Sequence, residues 1–234
     1  MIRALLAALL VALAPATAQP STVPSGREVV EAWLADWRRA AEGVDRVEGR
    51  EETAQTFDGP RRETRIEVEG RVALAPGRRT RRAPDRVRVD GRDLDPAESP
   101  RAADRWRRAF GPAGREVAAP PVLPIDLLAT AGPGALRPDR WDGQDAWRVE
   151  LDTRFDRAQA WFTRSPSPRL LAVRAEGRRP RGGRLSREVV YVRVDGLDVP
   201  ARTSTAFTVR QRRRLRGYVV TLSAVGTYTD HVVR

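Results

Sequence analysis

The stretch Glu-Thr-Arg-Ile-Glu-Val-Glu-Gly-Arg-Val-Ala-Leu, residues 63–74, decides the architecture of the chain. Thr64, Ile66, Val68, Gly70, Val72 and Leu74 fall on one side of an extended backbone, and Glu63, Arg65, Glu67, Glu69 and Arg71 on the other. Alternation this strict predicts a strand with one buried and one wetted face. Antiparallel sheets offer that arrangement, whereas parallel sheets are buried on both sides. The mixed charges on the wet face read as cross-strand pairs. Val87 and Val89 continue the pattern, and Asp90-Gly91 closes it with a tight turn.

The same period returns later, at 147–151, 171–175, 190–194, 205–209 and 220–224. Asp142-Gly143, Arg181-Gly182-Gly183 and Asp195-Gly196 supply turns between these segments, so the last ninety or so residues read as an antiparallel meander. Ahead of the strands, Ser25 is an N-cap with Glu28 completing a capping box. The helix then expected over 27–41 carries Val29, Val30, Trp33, Leu34, Trp37 and Ala41 as one apolar stripe, and its tryptophans are expected in the core.

Residues 92–146 break the strand rhythm. A polar helix is expected over 98–110, with Ala102, Ala103, Trp106 and Phe110 on one side. A Pro/Gly/Ala connection follows over 111–124, then a short apolar helix over 125–131 stopped by Gly132 and Pro133. The expected fold class is α+β: a strongly curved antiparallel sheet, a half-open barrel, with helices covering its concave face. One domain over 27–234 accounts for the whole pattern, without a repeat or an internal boundary.

Composition bounds the function. Arg3, the apolar run 4–13 and Ala16-Thr17-Ala18 read as a cleavable signal peptide over 1–18, with a flexible leader over 19–26. The apolar run is shorter than the roughly 20 residues of a spanning helix, and no later window reaches that length. The expected location is therefore periplasmic, with neither a lipid anchor nor a span. The chain has no cysteine, hence no disulfide framework. Its formal net charge of +12 comes entirely from arginine, since lysine is absent. Asparagine is absent too, and both residues use AT-rich codons, so genome composition explains part of the bias. Export removes nucleic acid as a partner. It leaves phospholipid head groups, lipopolysaccharide and acidic proteins.

Catalytic signatures are scarce. His231, the one histidine, lies beside the C-terminus and reads as an exposed tail residue. Gly177-Arg-Arg-Pro-Arg-Gly-Gly183 lacks the lysine and Ser/Thr of a phosphate-binding loop and reads as a hairpin turn. No metal site, cofactor or catalytic residue is expected. Two features point to binding. Ile66, Val68, Val72, Val149, Leu151, Leu171, Val173, Val190, Val192, Phe207, Val209, Val220 and Leu222 are the candidates for an apolar cavity accepting acyl chains. Arg210, Arg212, Arg213, Arg214 and Arg216, the densest basic run, are the candidates for a rim that contacts anionic head groups or an acidic partner.

Three stretches carry a family resemblance: Gly143-Gln-Asp-Ala-Trp147-Arg-Val-Glu-Leu151, Trp161-Phe162 followed by Pro168-Arg-Leu-Leu171, and Tyr191-Val-Arg-Val-Asp-Gly-Leu-Asp-Val-Pro200. With the ending Tyr228-Thr-Asp230, the chain resembles the periplasmic LolA-like superfamily. That group holds outer-membrane lipoprotein carriers, the receptor LolB and the N-terminal domain of the regulator RseB. The resemblance implies a half-open barrel around helices, whose cavity shields the acyl chains of a lipid or acylated lipoprotein. The lack of cysteine departs from the lipid-anchored receptor type. The expected function is thus a soluble, non-enzymatic carrier. A regulatory or structural module that binds a protein partner without lipid is the alternative, and a hydrolase with an unrecognised site is a third.

Overall fold

The computed structural model describes residues 23–59, 63–78, 80–95, 117, 119, 121–179, 183–213 and 216–234, with the side chains of 210–213 and 216–218 left out. The signal peptide, most of the leader and the helix expected over 98–110 lie outside the described residues.

Helix α1 spans Gly26–Ala40, and its start follows the expected chemistry. Glu28 N–H donates to Ser25 Oγ at 3.2 Å, while Ser25 N–H donates to Glu28 Oε2 at 2.6 Å. Two otherwise orphaned donors are satisfied at once. Those bonds hold the Glu28 carboxyl below its ordinary range. The strands follow as β1 (Val47–Asp58), β2 (Glu63–Leu74), β3 (Arg81–Val89) and the two-residue β4 (Arg92–Asp93). A short helix, α2 (Pro124–Leu128), precedes β5 (Gly132–Trp141), β6 (Gln144–Asp152), β7 (Arg157–Thr163) and β8 (Leu170–Arg179). The chain ends in β9 (Gly183–Val194), β10 (Leu197–Arg213) and β11 (Arg216–Val233). The decisive segment 63–74 is a strand with its bounds as expected.

All of these strands join one open antiparallel sheet in the order β4-β3-β2-β1-β11-β10-β9-β8-β7-β6-β5. Two meanders are stitched by the pairing of the first strand with the last, from Val47↔Val233 to Asp58↔Thr221. Asp90-Gly91, Asp142-Gly143 and Asp195-Gly196 form the hairpin turns, each pair with positive φ at both residues (51° and 79°, 48° and 78°, 49° and 82°). This is the backbone of a type I′ turn, whose twist matches that of the flanking strands.

The topology dictates a long crossing. β4 and β5 are consecutive in the chain but occupy opposite edges of the sheet. Ten strand spacings of about 4.8 Å separate them, roughly 48 Å if the sheet were flat. Residues 94–131 are the link between these two edges. Their described members mark the path: Val117 packs with Leu185, Phe207 and Leu222, Ala119 O accepts from Arg187, and Pro121 O accepts from Thr80. At α2, Asp126 Oδ1 accepts from Gly77 N–H at 2.9 Å. The short helix expected over 125–131 is thus present, one residue earlier and shorter.

α1 lies against β5 and β10 and touches α2. Its approach to β5 is close enough that a Cβ on Gly26 would stand 2.4 Å from Gly134 O, which only glycine avoids. Trp33 is 0% exposed and packs edge-on against Phe162, with ring centroids 6.2 Å apart. Trp37, Leu123, Leu128, Val149, Leu170 and Leu197 complete the centre of the main core. No helix among the described residues is long and apolar enough to cross a membrane.

Candidate binding face

Register shows which side chains share a face. One cross-strand row reads Val68, Thr53, Gly226, Thr203, Val189, Val173, Ala160, Val149 and Leu136. The next row toward the β10–β11 hairpin reads Ile66, Gln55, Ala224, Thr205, Arg187, Ala175, Ala158 and Leu151. A third holds Thr64, Phe57, Leu222, Phe207, Leu185 and Gly177. These rows form the face on which α1 and the crossing segment sit.

The face is not uniform. Its β5–β8 side belongs to the main core under α1, where Val149, Leu151 and Val173 are buried together with Val72 from the other side. Phe207 and Leu222 belong to a separate apolar cluster with Leu185 and Val117, against which Phe57, Phe155 and Val209 pack. Ile66 and Val220 are buried on the same face and Val68 is half-buried. Three of the cavity candidates lie elsewhere. Val190 pairs with Ala172, one position out of phase with Val189 and Val173, so it and Val192 look out from the opposite face. Leu171 packs against Ala146, Trp161 and Ala172, again away from the main core. Arg210, Arg212, Arg213 and Arg216 sit on the ends of β10 and β11, paired from Arg210↔Val219 to Arg213↔Arg216. Their side chains, and Arg214 altogether, lie outside the described residues.

Between the two apolar regions runs a polar band. Thr53, Thr203 and Thr205 are buried, and Glu51 is 1% exposed. Arg82 Nε approaches Glu51 Oε2 at 2.8 Å, and Arg82 Nη2 donates to Tyr228 Oη at 3.3 Å. Arg187 projects from the middle of β9 into the same band, beside the small side chains of Thr205 and Ala175. Burial pushes its guanidinium down, Arg82 and Arg154 add repulsion, and Tyr191 and Tyr228 oppose the shift. Burial likewise pushes the Tyr191 phenol up. Arg154, Phe155, Arg179, Leu185, Arg187 and Ala119 surround a pocket of about 280 Å³ at the edge of this band.

Sequence reading missed Arg187, Arg154 and Arg179. Arg187 carried a usable signal: it stands in phase with Leu185, Val189 and Tyr191, a charge on the buried side of an otherwise alternating strand. The convergence of Arg154 and Arg179 on it is tertiary and left no local trace.

His231 is not the exposed tail residue expected. It is a half-buried member of β11 whose Nε2 donates to Pro200 O at 3.0 Å. Burial pushes its imidazole below the ordinary range, against the hydrogen bond and the nearby Asp230 charge. Among the described residues no group of three His, Cys, Asp or Glu side chains could hold a metal ion.

The outer face carries its own cluster. Trp141 and Trp161 pack at 4.8 Å between ring centroids, with the Arg174 guanidinium within 5.9 Å of both rings. Trp161 Nε1 and Arg148 Nη1 both donate to Asp139 Oδ2 at 3.0 Å. The Trp161 hydrogen bond is the main reason that the Asp139 carboxyl sits below its usual range.

No family model matches the chain, and no curated protein matches it. Solved structures do. A domain from Vibrio parahaemolyticus assigned to outer membrane lipoprotein sorting, the type that the sequence resembles, is 11% identical, with 88% of this chain and 93% of that one covered and a TM-score of 0.40. A DUF1329 family protein from Desulfovibrio piger is 11% identical, with 87% and 92% covered and a TM-score of 0.37. The Pseudomonas aeruginosa MucA/MucB complex contains a chain 11% identical, with 87% and 94% covered and a TM-score of 0.20.

Proposed function

We propose that this chain is an exported, single-domain, non-catalytic binding protein that shields acyl chains of a lipid or lipoprotein on the inner face of its sheet. One observation carries the reading: the apolar wall of β9, β10 and β11, built from Leu185, Phe207 and Leu222, stands apart from the core that α1 fills. Among the described residues, the non-strand side chains packed on it are Val117 of the crossing segment and Phe155 of the β6–β7 loop. A wall of this kind, concave in a curved sheet, accepts chains whose transfer from water gains about 0.8 kcal/mol per methylene. Val209, Val220, Ile66 and Val68 extend it toward both sides. The arginines at the β10–β11 hairpin would meet the head group or the membrane surface.

Mass spectrometry of an organic extract of the purified protein tests this. Stoichiometric acyl species are expected. Their absence, together with failure to displace a fluorescent fatty acid, sinks the carrier reading.

A second reading, a module that binds a protein partner without lipid, is favoured by the outer Trp141–Trp161 cluster beside β5. β5 is a ten-residue strand at the edge of the sheet, with one side unpaired among the described residues, and partner strands add to such edges. Pull-down of a defined partner that survives Phe207→Ala but not Trp141→Ala would replace the carrier with this module.

A further inference from the structure

Antiparallel order places the β6–β7 loop, the β8–β9 hairpin and the β10–β11 hairpin at one end of the sheet. Segments 152–157, 176–184 and 210–216, which carry the chain through those turns, hold eleven arginines against three carboxylates. That difference of eight stands against a formal net charge of +12 for the whole chain.

Elsewhere on the outer face arginines meet carboxylates, as Arg174 meets Glu188 and Arg148 meets Asp139. At this end they do not. Arg178 and Arg184 stand directly opposite each other, although like charges in that position destabilise a sheet. Arg157 lies on the next outer-face row, level with Glu176 and Ser186. All three arginines are exposed, and none forms an ion pair among the described residues. They surround a cleft of about 360 Å³, with Ser186 and Thr208 as further donors and Ala206 as apolar lining. Glu176 and Asp156 line it too, and Asp156 is committed to Arg178 N–H, which donates to its Oδ2 at 2.7 Å.

The apolar wall occupies the reverse side of the same rungs. Leu185 follows Arg184 and Phe207 precedes Thr208, so β9 and β10 turn polar groups outward and wall residues inward. Nearer the β10–β11 hairpin, Val219 is 52% exposed on the outer face, opposite Arg210. Cations and an exposed apolar side chain beside an apolar wall match a bilayer surface, which offers phosphate and then hydrocarbon. A nucleic acid would use the charge and leave Val219 and the wall without a partner.

We propose that this end of the sheet docks on an anionic lipid bilayer, with lipid phosphates between Arg157, Arg178 and Arg184. The contact is centred on β8 and β9 rather than on the β10–β11 hairpin. Guanidinium forks suit phosphate oxygens, and the remaining arginines of this end add attraction at longer range. Charge carries the docking. It rests on the carrier reading only for its purpose, which is to bring the wall to the bilayer where acyl chains enter or leave.

Co-sedimentation of the purified protein with phosphatidylglycerol/phosphatidylcholine vesicles, against phosphatidylcholine alone, tests the docking. The salt is held at about 0.1 M, where exposed charges are felt over about 10 Å. Binding at least about tenfold tighter to the anionic vesicles is expected. Arg178→Gln/Arg184→Gln should weaken it about tenfold or more, and Arg178→Lys/Arg184→Lys, which keeps the charge, less than about threefold. Arg38→Gln/Arg169→Gln removes the same charge from α1 and the start of β8, at the opposite end, and should bind as the wild type. No preference for anionic vesicles, or equal weakening in the two glutamine variants, overturns the proposal. Tighter binding to a mixed-sequence DNA duplex at the same salt overturns it as well. Vesicle binding by protein whose organic extract holds no acyl species upholds the docking and removes the carrier reading alone.

Discussion

Trp33 of α1 donates its indole N–H to Asp198 Oδ2 at 2.7 Å, inside the core. Asp198 is 0% exposed, and its carboxylate also accepts from Leu170 N–H at 2.9 Å and from Arg193 through Nε and Nη2, each at 2.9 Å. One buried carboxylate thus joins the helix, β8, β9 and β10. A buried charge is tolerated when its lone pairs are filled and a cation stands beside it.

Removing that carboxylate strands four donor groups on three residues at once. Asp198→Ala is expected to lower folding stability by about 3–5 kcal/mol, and Asp198→Asn by less, since the amide oxygen still serves one donor. Urea denaturation of both variants measures the difference. A loss under 1 kcal/mol for Asp198→Ala would remove the carboxylate from its structural role.

The Glu51–Arg82 pair makes a parallel prediction with a different control. Either single change, Glu51→Leu or Arg82→Met, leaves the other charge in the interior and should cost about 3–5 kcal/mol. The double change should recover much of that loss. Additive single losses in the thermodynamic cycle would contradict a direct pairing.

Stability should depend on pH through His231. Burial sets its folded pKa below the unfolded value, so the folded state favours the neutral ring. Its contribution is intact above the unfolded value of about 6.5 and is lost as pH falls through the folded one. Comparing wild type with His231→Gln in denaturation at pH 7.5 and pH 5.5 isolates it. The variant should show the shallower decline, and identical slopes would exclude His231 as the origin.

Asp93 behaves in the same direction at lower pH. Hydrogen bonding and charge from Arg86, with help from Arg88, hold its carboxyl down to about 2. Its contribution is present above about 4 and fades as pH falls toward 2. Asp93→Asn should therefore flatten the acid limb of the stability curve. The Asp93 carbon shift in an NMR titration reports the same midpoint directly.

Face assignment in β9 can be tested without any ligand. Val192 is 39% exposed and Val189 is 7% exposed, although they are three residues apart in one strand. Val192→Thr should change stability by no more than about 0.5 kcal/mol. Val189→Thr puts a hydroxyl into the core and should cost on the order of 1–3 kcal/mol. Equal effects would mean the strand is out of register.

What the sequence made legible was local. The period in 63–74, the Asp-Gly turns and the Ser25–Glu28 box each act within a few residues, and each is found as read. Alternation also put Val149, Val173 and Phe207 on one face. It failed at Val190 and Val192, because the run Val189-Val-Tyr-Val192 is apolar at every position and carries no phase. Phase there is set by pairing with Ala172 and Val173 on β8. His231 was misjudged for a related reason: nearness to the terminus suggests exposure, but the terminus is a strand held by β1. The arginine pocket depends on three separate segments meeting, which no window of sequence contains.

The seam between β1 and β11 has a consequence for how the molecule comes into being. Val47 finds its partner in Val233, close to the end of the chain. Until the final strand arrives, the β1–β4 meander exposes an unsatisfied edge and the other meander has nothing to dock on. Pairings this distant in sequence close slowly, since a long loop must lose its freedom before any contact rewards it. The molecule is therefore expected to mature late and all at once. Deleting the whole of β11 should leave two half-sheets with sticky edges rather than one narrower sheet.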